Sequence, residues 1–471
     1  MDVLLWGISL RTYRIEEECI EREVNILAYV DNNTELWGTE YWEVKVIPPF
    51  NIRDYDFQYV IVVSSAFNDI KTQLLSIGVD KAKILSYVYS KEDCLLKLGE
   101  PKFLLSREYK VKNSVTKRLE TLYRIEGKVV EDVSPPLTKE QQYSLIERLL
   151  NSYNLAQKQM QKVTEEYKVG ENWFNLLKGT RKKFYETVEN GDVSELTHLL
   201  NNFFRNCMST AIGGDESTYK TFEKTIPIYP YLTKYFKVWK YSVKDMTPMK
   251  ELAMPSIGNP FGYKVDGACI NISCFLNHYR AVYISHLAKE EEMAVIGEIG
   301  GGYGGFAYYL LKQQEDKLYI GFDIPENLII SSYYLSMAFP EKRILLYENP
   351  DTILNKDSFN NYDIILMPNF MLPKLEDLSV DIFVNTISMS EMDYSTITEY
   401  FHQIERCCKK YFYHENLAHA PFDYKGYPAS VFPEMKSFKE MMACPSRWEY
   451  FGMHSPLHTY KEHLCMRQEQ T

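Results

Sequence analysis

The sequence predicts an α/β protein with two Rossmann-like domains joined by a helical connector. Three observations predict it. Short apolar runs alternate with helical patterns over the first hundred residues, the pattern turns purely helical from about Leu137 to Asn206, and a second, better-formed alternation begins near Met293. A chain of 471 residues with 45% apolar content is too long for one ordinary core. The expected domains are 1–98, 99–245 and 246–471.

In the first domain the apolar runs are Val3 to Trp6, Ile26 to Val30, Tyr59 to Val63 and Ile84 to Tyr87, with helical patterns at Tyr13 to Glu23 and Ile70 to Leu75. Gly7-Ile8-Ser9 opens the first helix and Asp31-Asn32-Asn33 closes the second strand, as in a nucleotide-binding half-fold. That loop holds one glycine where a dinucleotide fingerprint has three, so the domain reads either as a scaffold or as a live nucleotide or nucleotide-sugar site.

The connector carries apolar residues three and four apart, as in Leu145, Leu149, Leu150 and Tyr153, the spacing of amphipathic helices. It would shape a substrate pocket or form the interface of a homo-oligomer. Met246 to Gly267 is rich in Pro and Gly and marks an irregular lead-in, in which Asn259 and Pro260 would close over a ligand. A helix is expected from Ser273 to Lys289.

The chemistry is concentrated after this point. Met293 to Ile299 reads as a strand ending in the loop Gly300-Gly301-Gly302-Tyr303-Gly304-Gly305; Phe306 to Gln313 reads as a helix, and Leu318 to Phe322 as a strand closed by Asp323. Glycines let backbone N–H groups and the helix N-terminus approach a ligand, and an acid about 20 positions on accepts hydrogen bonds from ribose hydroxyls. This pattern alone does not select a cofactor, because Gly300, Gly302 and Gly305 also satisfy GxGxxG.

Four strings, EIGGGYGGFAYYLL, FDIPENLIISSYYL, VDIFVNTISMSEM and YFYHEN, in this order and spacing, resemble the sugar O-methyltransferase family of bacterial polysaccharide gene clusters. The resemblance spans about Pro255 to His454, and NTISMSEM is far more specific than the glycine loop. It implies a class I methyltransferase fold for 246–471, S-adenosylmethionine as cofactor, and a sugar hydroxyl, nucleotide-linked or in a surface glycan, as acceptor. Glu298, Gly300, Gly302 and Gly304 would then surround the methionine part of the cofactor and Asp323 would hold its ribose. Tyr303, within the loop, and Asn369, closing the strand-like stretch from Tyr362, complete the expected cofactor-binding set. The first domain looks like the small Rossmann-like domains attached to sugar-modifying enzymes of surface-polysaccharide pathways.

Methyl transfer to a hydroxyl needs an in-line approach and a base for the hydroxyl proton, and ligands of open α/β sheets bind beyond the C-terminal strand ends. Two acid–base candidates meet that requirement: Glu391, after the strand Asp381 to Asn385, and His414, after the strand Lys410 to Tyr413. Ser388, Glu415, Asn416 and His419 are the expected acceptor-binding residues, with Ser390 close by. His278, His454 and His458 are weaker candidates. Tyr333, Tyr334, Tyr424 and Tyr427 would stack on adenine or sugar, or else pack in the core. No HExxH motif, Cys/His cluster or Asp-rich loop calls for a metal.

Two other functions fit the same loop: an NAD-dependent sugar oxidoreductase or epimerase, and a non-catalytic nucleotide-binding assembly module. No convincing Tyr-x-x-x-Lys pair follows the loop, which disfavours the short-chain oxidoreductases. With 53 Lys and Arg against 64 Asp and Glu, a net charge of −11, a nucleic-acid partner is not expected. Nine scattered cysteines without a CxxC pair read as reduced thiols, Cys407-Cys408 falling in a helical pattern. The amino terminus has no basic start or long apolar run, so a cytoplasmic protein without membrane insertion is expected.

Overall fold

The computed structural model describes residues 1–8, 12–41, 44–100, 125–213, 216–224, 235–236, 239, 242–243, 249–289, 291, 293–313, 317–419, 426–446 and 459–468. The chain divides into two units, one of 1–125 with 226–245 and one of 126–225 with 246–471.

In the first unit β1 (Asp2–Trp6), α1 (Thr12–Glu21), β2 (Asn25–Val30), β3 (Glu40–Tyr41), β4 (Val44–Ile47), β5 (Tyr59–Val62), α2 (Phe67–Ser76), β6 (Ile84–Ser86) and α3 (Lys91–Leu98) build a sheet ordered β3-β4-β2-β1-β5-β6. The run Val-Leu-Leu-Trp in β1 does not alternate because both of its faces are covered. Leu4 and Trp6 enter one core cluster, Val3 and Leu5 another. At its end Gly7, with φ 102°, donates its N–H to Val30 O at 2.8 Å, and Asp31 accepts the N–H of Ile8 at 2.9 Å. Asp31 is therefore tied to the backbone of the loop that opens the sheet.

The second unit starts within β7 (Ile125–Val129) and continues with α4 (Lys139–Met160), α5 (Glu171–Lys178), α6 (Lys182–Glu189), α7 (Val193–Asn201) and α8 (Glu216–Lys224). β8 (Gly262–Val265) and β9 (Ala268–Ile270) join β7 in a small sheet, and α9 (Ile272–Leu287) leads into the main one. There follow β10 (Ala294–Ile299), α10 (Gly305–Gln313), β11 (Lys317–Asp323), α11 (Pro325–Ala338), β12 (Ile344–Leu346), α12 (Lys356–Phe359) and β13 (Ile364–Pro368). The chain then forms β14 (Val380–Thr386), α13 (Tyr394–Cys407), β15 (Cys408–His419), β16 (Phe438–Pro445) and β17 (Thr459–Arg467).

The main sheet runs β12-β13-β11-β10-β14-β15-β17-β16. β10 pairs in parallel with β11 on one side and β14 on the other, whereas β17 runs antiparallel between β15 and β16. A central first strand, parallel neighbours and one reversed strand beside the edge make this the class I methyltransferase-like Rossmann fold. β10 and β13 are buried throughout, as expected of parallel strands covered on both faces.

The helical region belongs to the second unit and packs on its main sheet. α11 begins with Pro at its first turn and buries nearly every residue, so it has no face for solvent and needs cover on the side away from the sheet. α4 supplies that cover. Its start is fixed by a capping box between Thr138 and Gln141, and it buries Ile146, Leu149, Leu150, Tyr153 and Ala156 along one stripe. Each fully buried aliphatic side chain there contributes about 1.5–3 kcal/mol.

Two local expectations are corrected. β15 does not stop at Tyr413: pairing with β14 on one side and β17 on the other carries it to His419, so His414, Glu415 and Asn416 lie inside a strand. Cys407 ends α13 and Cys408 begins β15, so the adjacent pair straddles a helix–strand junction. Among the described residues no helix is long and apolar enough to cross a membrane.

Candidate functional site

After β10 the chain crosses to β11 on one side and later returns to β14 on the other, so the C-terminal end of β10 faces a topological switch point, where open α/β sheets bind ligands. The loop at that point is built around left-handed glycines. Gly300, with φ 73°, donates its N–H to Phe322 O at 2.8 Å, and a Cβ there would run into the Ser388 side chain. Gly302, with φ 60°, donates its N–H to Asp323 Oδ2 at 3.0 Å, and a Cβ there would stand 3.2 Å from Ile212 Cβ. Side chains are excluded at both positions by backbone conformation and by neighbours together.

Glu298 lies beneath this loop rather than open to it. It is 1% exposed, accepts the Tyr319 hydroxyl at 2.5 Å, and is pushed up to about 7 by burial. Its carboxylate fixes the floor of the loop, since a Cβ at Gly301 would approach Glu298 Oε2 to 2.7 Å.

Asp323, half-buried at the end of β11, accepts three N–H donors. Besides Gly302 these are the Ile324 backbone at 2.8 Å and the Asn327 side chain at 3.0 Å. Burial pushes it up to about 6, and these hydrogen bonds and the Arg181 charge pull the other way. Arg181, from the turn before α6, reaches Asn327 Oδ1 at 2.8 Å.

On the other side of the crevice β14 ends in Asn385 and Thr386, then a tight turn. Asn385 donates to Ile299 O at 2.8 Å and to Ser388 Oγ at 2.7 Å, and accepts from Asn416 at 2.8 Å. Asn416 in turn accepts the Ser390 N–H at 3.2 Å. Ile387 has φ 73°, a left-handed conformation that costs a β-branched residue on the order of 1–3 kcal/mol. That strain sits within NTISMSEM and sets the direction of the turn Ser388–Glu391. Glu391, half-buried, accepts a hydrogen bond from the Trp173 indole of α5. Burial pushes it up to about 7 against the pull of that bond.

The structure thus gathers Gly300, Gly302, Asp323, Ser388 and Asn416, with Asn385, around the end of β10, and holds Glu391 against α5. The remaining expected residues are engaged elsewhere. Tyr303 packs against Phe203, Phe204 and Tyr334, its hydroxyl beside Ser273 at 3.3 Å and Asn277 at 3.2 Å. Asn369 donates to Tyr167 O and the Tyr400 hydroxyl, each at 2.9 Å, and its Oδ1 accepts Phe370 N–H at 3.0 Å. His414 is stacked on His463 at 4.5 Å among Phe401, Phe412 and Phe432, and burial with the His463 charge holds it well below its usual range. Glu415 forms a buried two-nitrogen ion pair with Arg280 of α9, at 2.9 and 2.6 Å, and meets Ser446.

His278 is buried in α9, edge-on to Tyr309, and lowered to about 4 by burial. Asn259 bonds Val133, Asn202 and Asp132 and so ties the lead-in segment to the helical region. Tyr333 and Tyr334 are buried in α11, whereas Tyr427 is exposed beside Tyr394. His419 ends β15; the His419 side chain, Tyr424, His454 and His458 lie outside what is described. Among the described residues no group of three or more His, Cys, Asp or Glu stands together for a metal ion.

Sequence reasoning missed Trp173, Arg181 and Asn385. Asn385 lay in a quoted string; the other two lie in an amphipathic stretch with no motif to single them out.

An adenosyl cofactor suits this donor set. The loop admits no side chain at Gly300, Gly302 or Gly304, Asp323 has lone pairs to spare for hydroxyls, and buried Arg181 Nε has no hydrogen-bond partner.

The second unit therefore has the class I methyltransferase-like fold, with the glycine loop at its topological switch point. Residues 1–85 match the family described as C2185-like, N-terminal. No curated protein matches the chain. Among solved structures it is similar to geranyl diphosphate C-methyltransferase from Streptomyces coelicolor A3(2), at 10% identity and a TM-score of 0.29, covering 40% of this chain and 75% of that one. It is similar also to magnesium protoporphyrin IX methyltransferase from Synechocystis PCC 6803, at 9% identity and a TM-score of 0.28, covering 42% and 85%. A third is a TehB-like SAM-dependent methyltransferase from Corynebacterium glutamicum, at 14% identity and a TM-score of 0.28, covering 41% and 88%.

Proposed function

We propose that the second unit binds S-adenosylmethionine at the Gly300–Gly304 loop and Asp323 and methylates a hydroxyl of a sugar. The observation that carries the cofactor reading is the tie between Gly302 N–H and Asp323 Oδ2 at the switch point, which sets an acid for ribose beside a loop open to backbone approach. The sugar acceptor rests on the resemblance of NTISMSEM and YFYHEN.

The cofactor supplies an electrophilic methyl group on a sulfonium, so the protein has to hold the acceptor hydroxyl in line and take its proton. Glu391 is the group best suited to that proton. It stands in the turn after β14, is raised to about 7, and is oriented by Trp173. A base near the working pH contributes about 10²–10⁴ in rate. His414, neutral and enclosed by aromatic rings, is the weaker choice.

The test is incubation of the purified chain with methyl-labelled S-adenosylmethionine and a panel of nucleotide sugars and glycans. Transfer of label to a sugar oxygen is the expected result. Transfer to a carbon, nitrogen or non-sugar acceptor overturns the substrate class, and absence of S-adenosylhomocysteine binding overturns the cofactor.

A further inference from the structure

Arg181 stands apart from the other enclosed arginines. Arg22 pairs with Glu18 at 2.6 Å, Arg205 with Asp132 at 2.9 Å and Arg280 with Glu415 at 2.6 Å. Arg181 is 0% exposed, yet among the described residues no carboxylate pairs with it. Its Nη1 donates to Asn327 Oδ1 at 2.8 Å and its Nη2 to Thr210 O at 2.5 Å, while Nε has no partner. Beside it the hydroxyls of Ser209, also 0% exposed, and of Thr210 are likewise without partners. Buried donors are nearly always satisfied, and a buried cation without a counter-ion is costly, so this cluster requires an explanation.

Its surroundings supply one. Asp323 is the carboxylate whose charge most favours the Arg181 cation, and Asn327 links the two without a direct ion pair. The segment that carries Ser209 and Thr210 goes on to Ile212, which lies against Gly302. Guanidinium, acid, two hydroxyls and glycine loop therefore belong to one place. A hydroxyl both donates and accepts, so a vicinal diol matches an acid and a guanidinium at once.

We infer that Arg181 and Asp323 together clasp the ribose diol of the adenosyl group, Asp323 accepting from its hydroxyls and Arg181 Nε donating to them. Ser209 and Thr210 close over it from the helical region. The inference rests on the cofactor reading above and adds a recognition residue from outside the Rossmann-like sheet.

The test titrates the full chain calorimetrically with S-adenosylhomocysteine, adenosine, 2′-deoxyadenosine and 3′-deoxyadenosine. Loss of a charge-assisted hydrogen bond weakens binding about ten- to hundredfold, so at least one deoxynucleoside is expected to bind that much more weakly than adenosine. Arg181→Lys, which keeps the charge and removes the Nε donor while Asp323 still accepts from the diol, is expected to weaken adenosine similarly and to narrow the discrimination to the part that Asp323 provides. Equal binding of all three nucleosides by the native chain overturns the inference, as does a folded Arg181→Lys that binds adenosine and discriminates as the native chain does. If Arg181→Lys does not fold, Ser209→Ala decides: weaker adenosine binding supports the inference, and unchanged binding by the folded variant overturns it. A native chain that binds neither S-adenosylhomocysteine nor adenosine overturns the cofactor reading itself.

Discussion

The backbone N–H of Gly302 donates to Oδ2 of Asp323 at 3.0 Å, joining the loop after β10 to the end of β11 across 21 residues of chain. This bond makes the glycine loop and the acid one object. A change to either partner alters the shape offered to a ligand by the other.

Gly300→Ala should therefore abolish cofactor binding while costing moderate stability. Its new Cβ meets Ser388 in a left-handed backbone, and the strain is on the order of 1–3 kcal/mol. Calorimetric titration with S-adenosylhomocysteine, together with a melting curve, checks both halves. Unchanged affinity in the folded variant would remove the loop from the site.

Glu391→Gln should lower kcat by about 10²–10⁴ with cofactor affinity nearly unchanged. Trp173→Phe gives the sharper reading. The indole N–H stabilises the carboxylate form, so its removal raises the Glu391 pKa above about 7 and moves the rising limb of the pH–rate profile to higher pH. A limb that stays in place would detach Glu391 from the rate. His414→Phe, among aromatic neighbours, should keep most of the activity, and a hundredfold loss would transfer the base role to His414.

The Arg280–Glu415 pair yields a prediction of stability, not catalysis. Both side chains are enclosed, 4% and 2% exposed, so Arg280→Met leaves an uncompensated carboxylate and should destabilise by about 3–5 kcal/mol in urea unfolding. A double variant with Glu415→Leu should recover much of that loss. If Glu415→Leu alone is stable but no longer binds acceptor, Glu415 serves the substrate as well.

Glu326, in the first turn of α11, accepts from Gln157 at 2.8 Å, and its Oε2 has no partner. Burial raises it from 4.5 to about 7, so between those values the folded protein holds a proton that the unfolded chain has released. The stability from that proton is lost as pH rises through the window. Glu326→Gln does not titrate, so between about pH 5 and about pH 8 it should lose less stability than the native chain, by on the order of 1–3 kcal/mol. Parallel pH–stability curves would contradict this.

The sequence by itself determined the two alternating α/β regions, the helical stretch between them, and the strand–glycine loop–strand–acid unit from Ala294 to Asp323. Each of these is local: period and turn chemistry fix strand, loop and helix within a few residues. It placed Asp323 and the loop glycines together because they lie at the ends of adjacent parallel strands. Only the tertiary structure decided the rest. β15 runs on through His414 and Glu415 because β17, more than 40 residues later, pairs with it. Burial then turns Glu415 toward Arg280 and His414 into an aromatic cluster. Arg181 and Trp173 reach the crevice because the buried helix α11 and the turn after β14 require cover, and helices from a distant part of the chain provide it. Such pairings depend on which surfaces meet, and no spacing along the sequence encodes that.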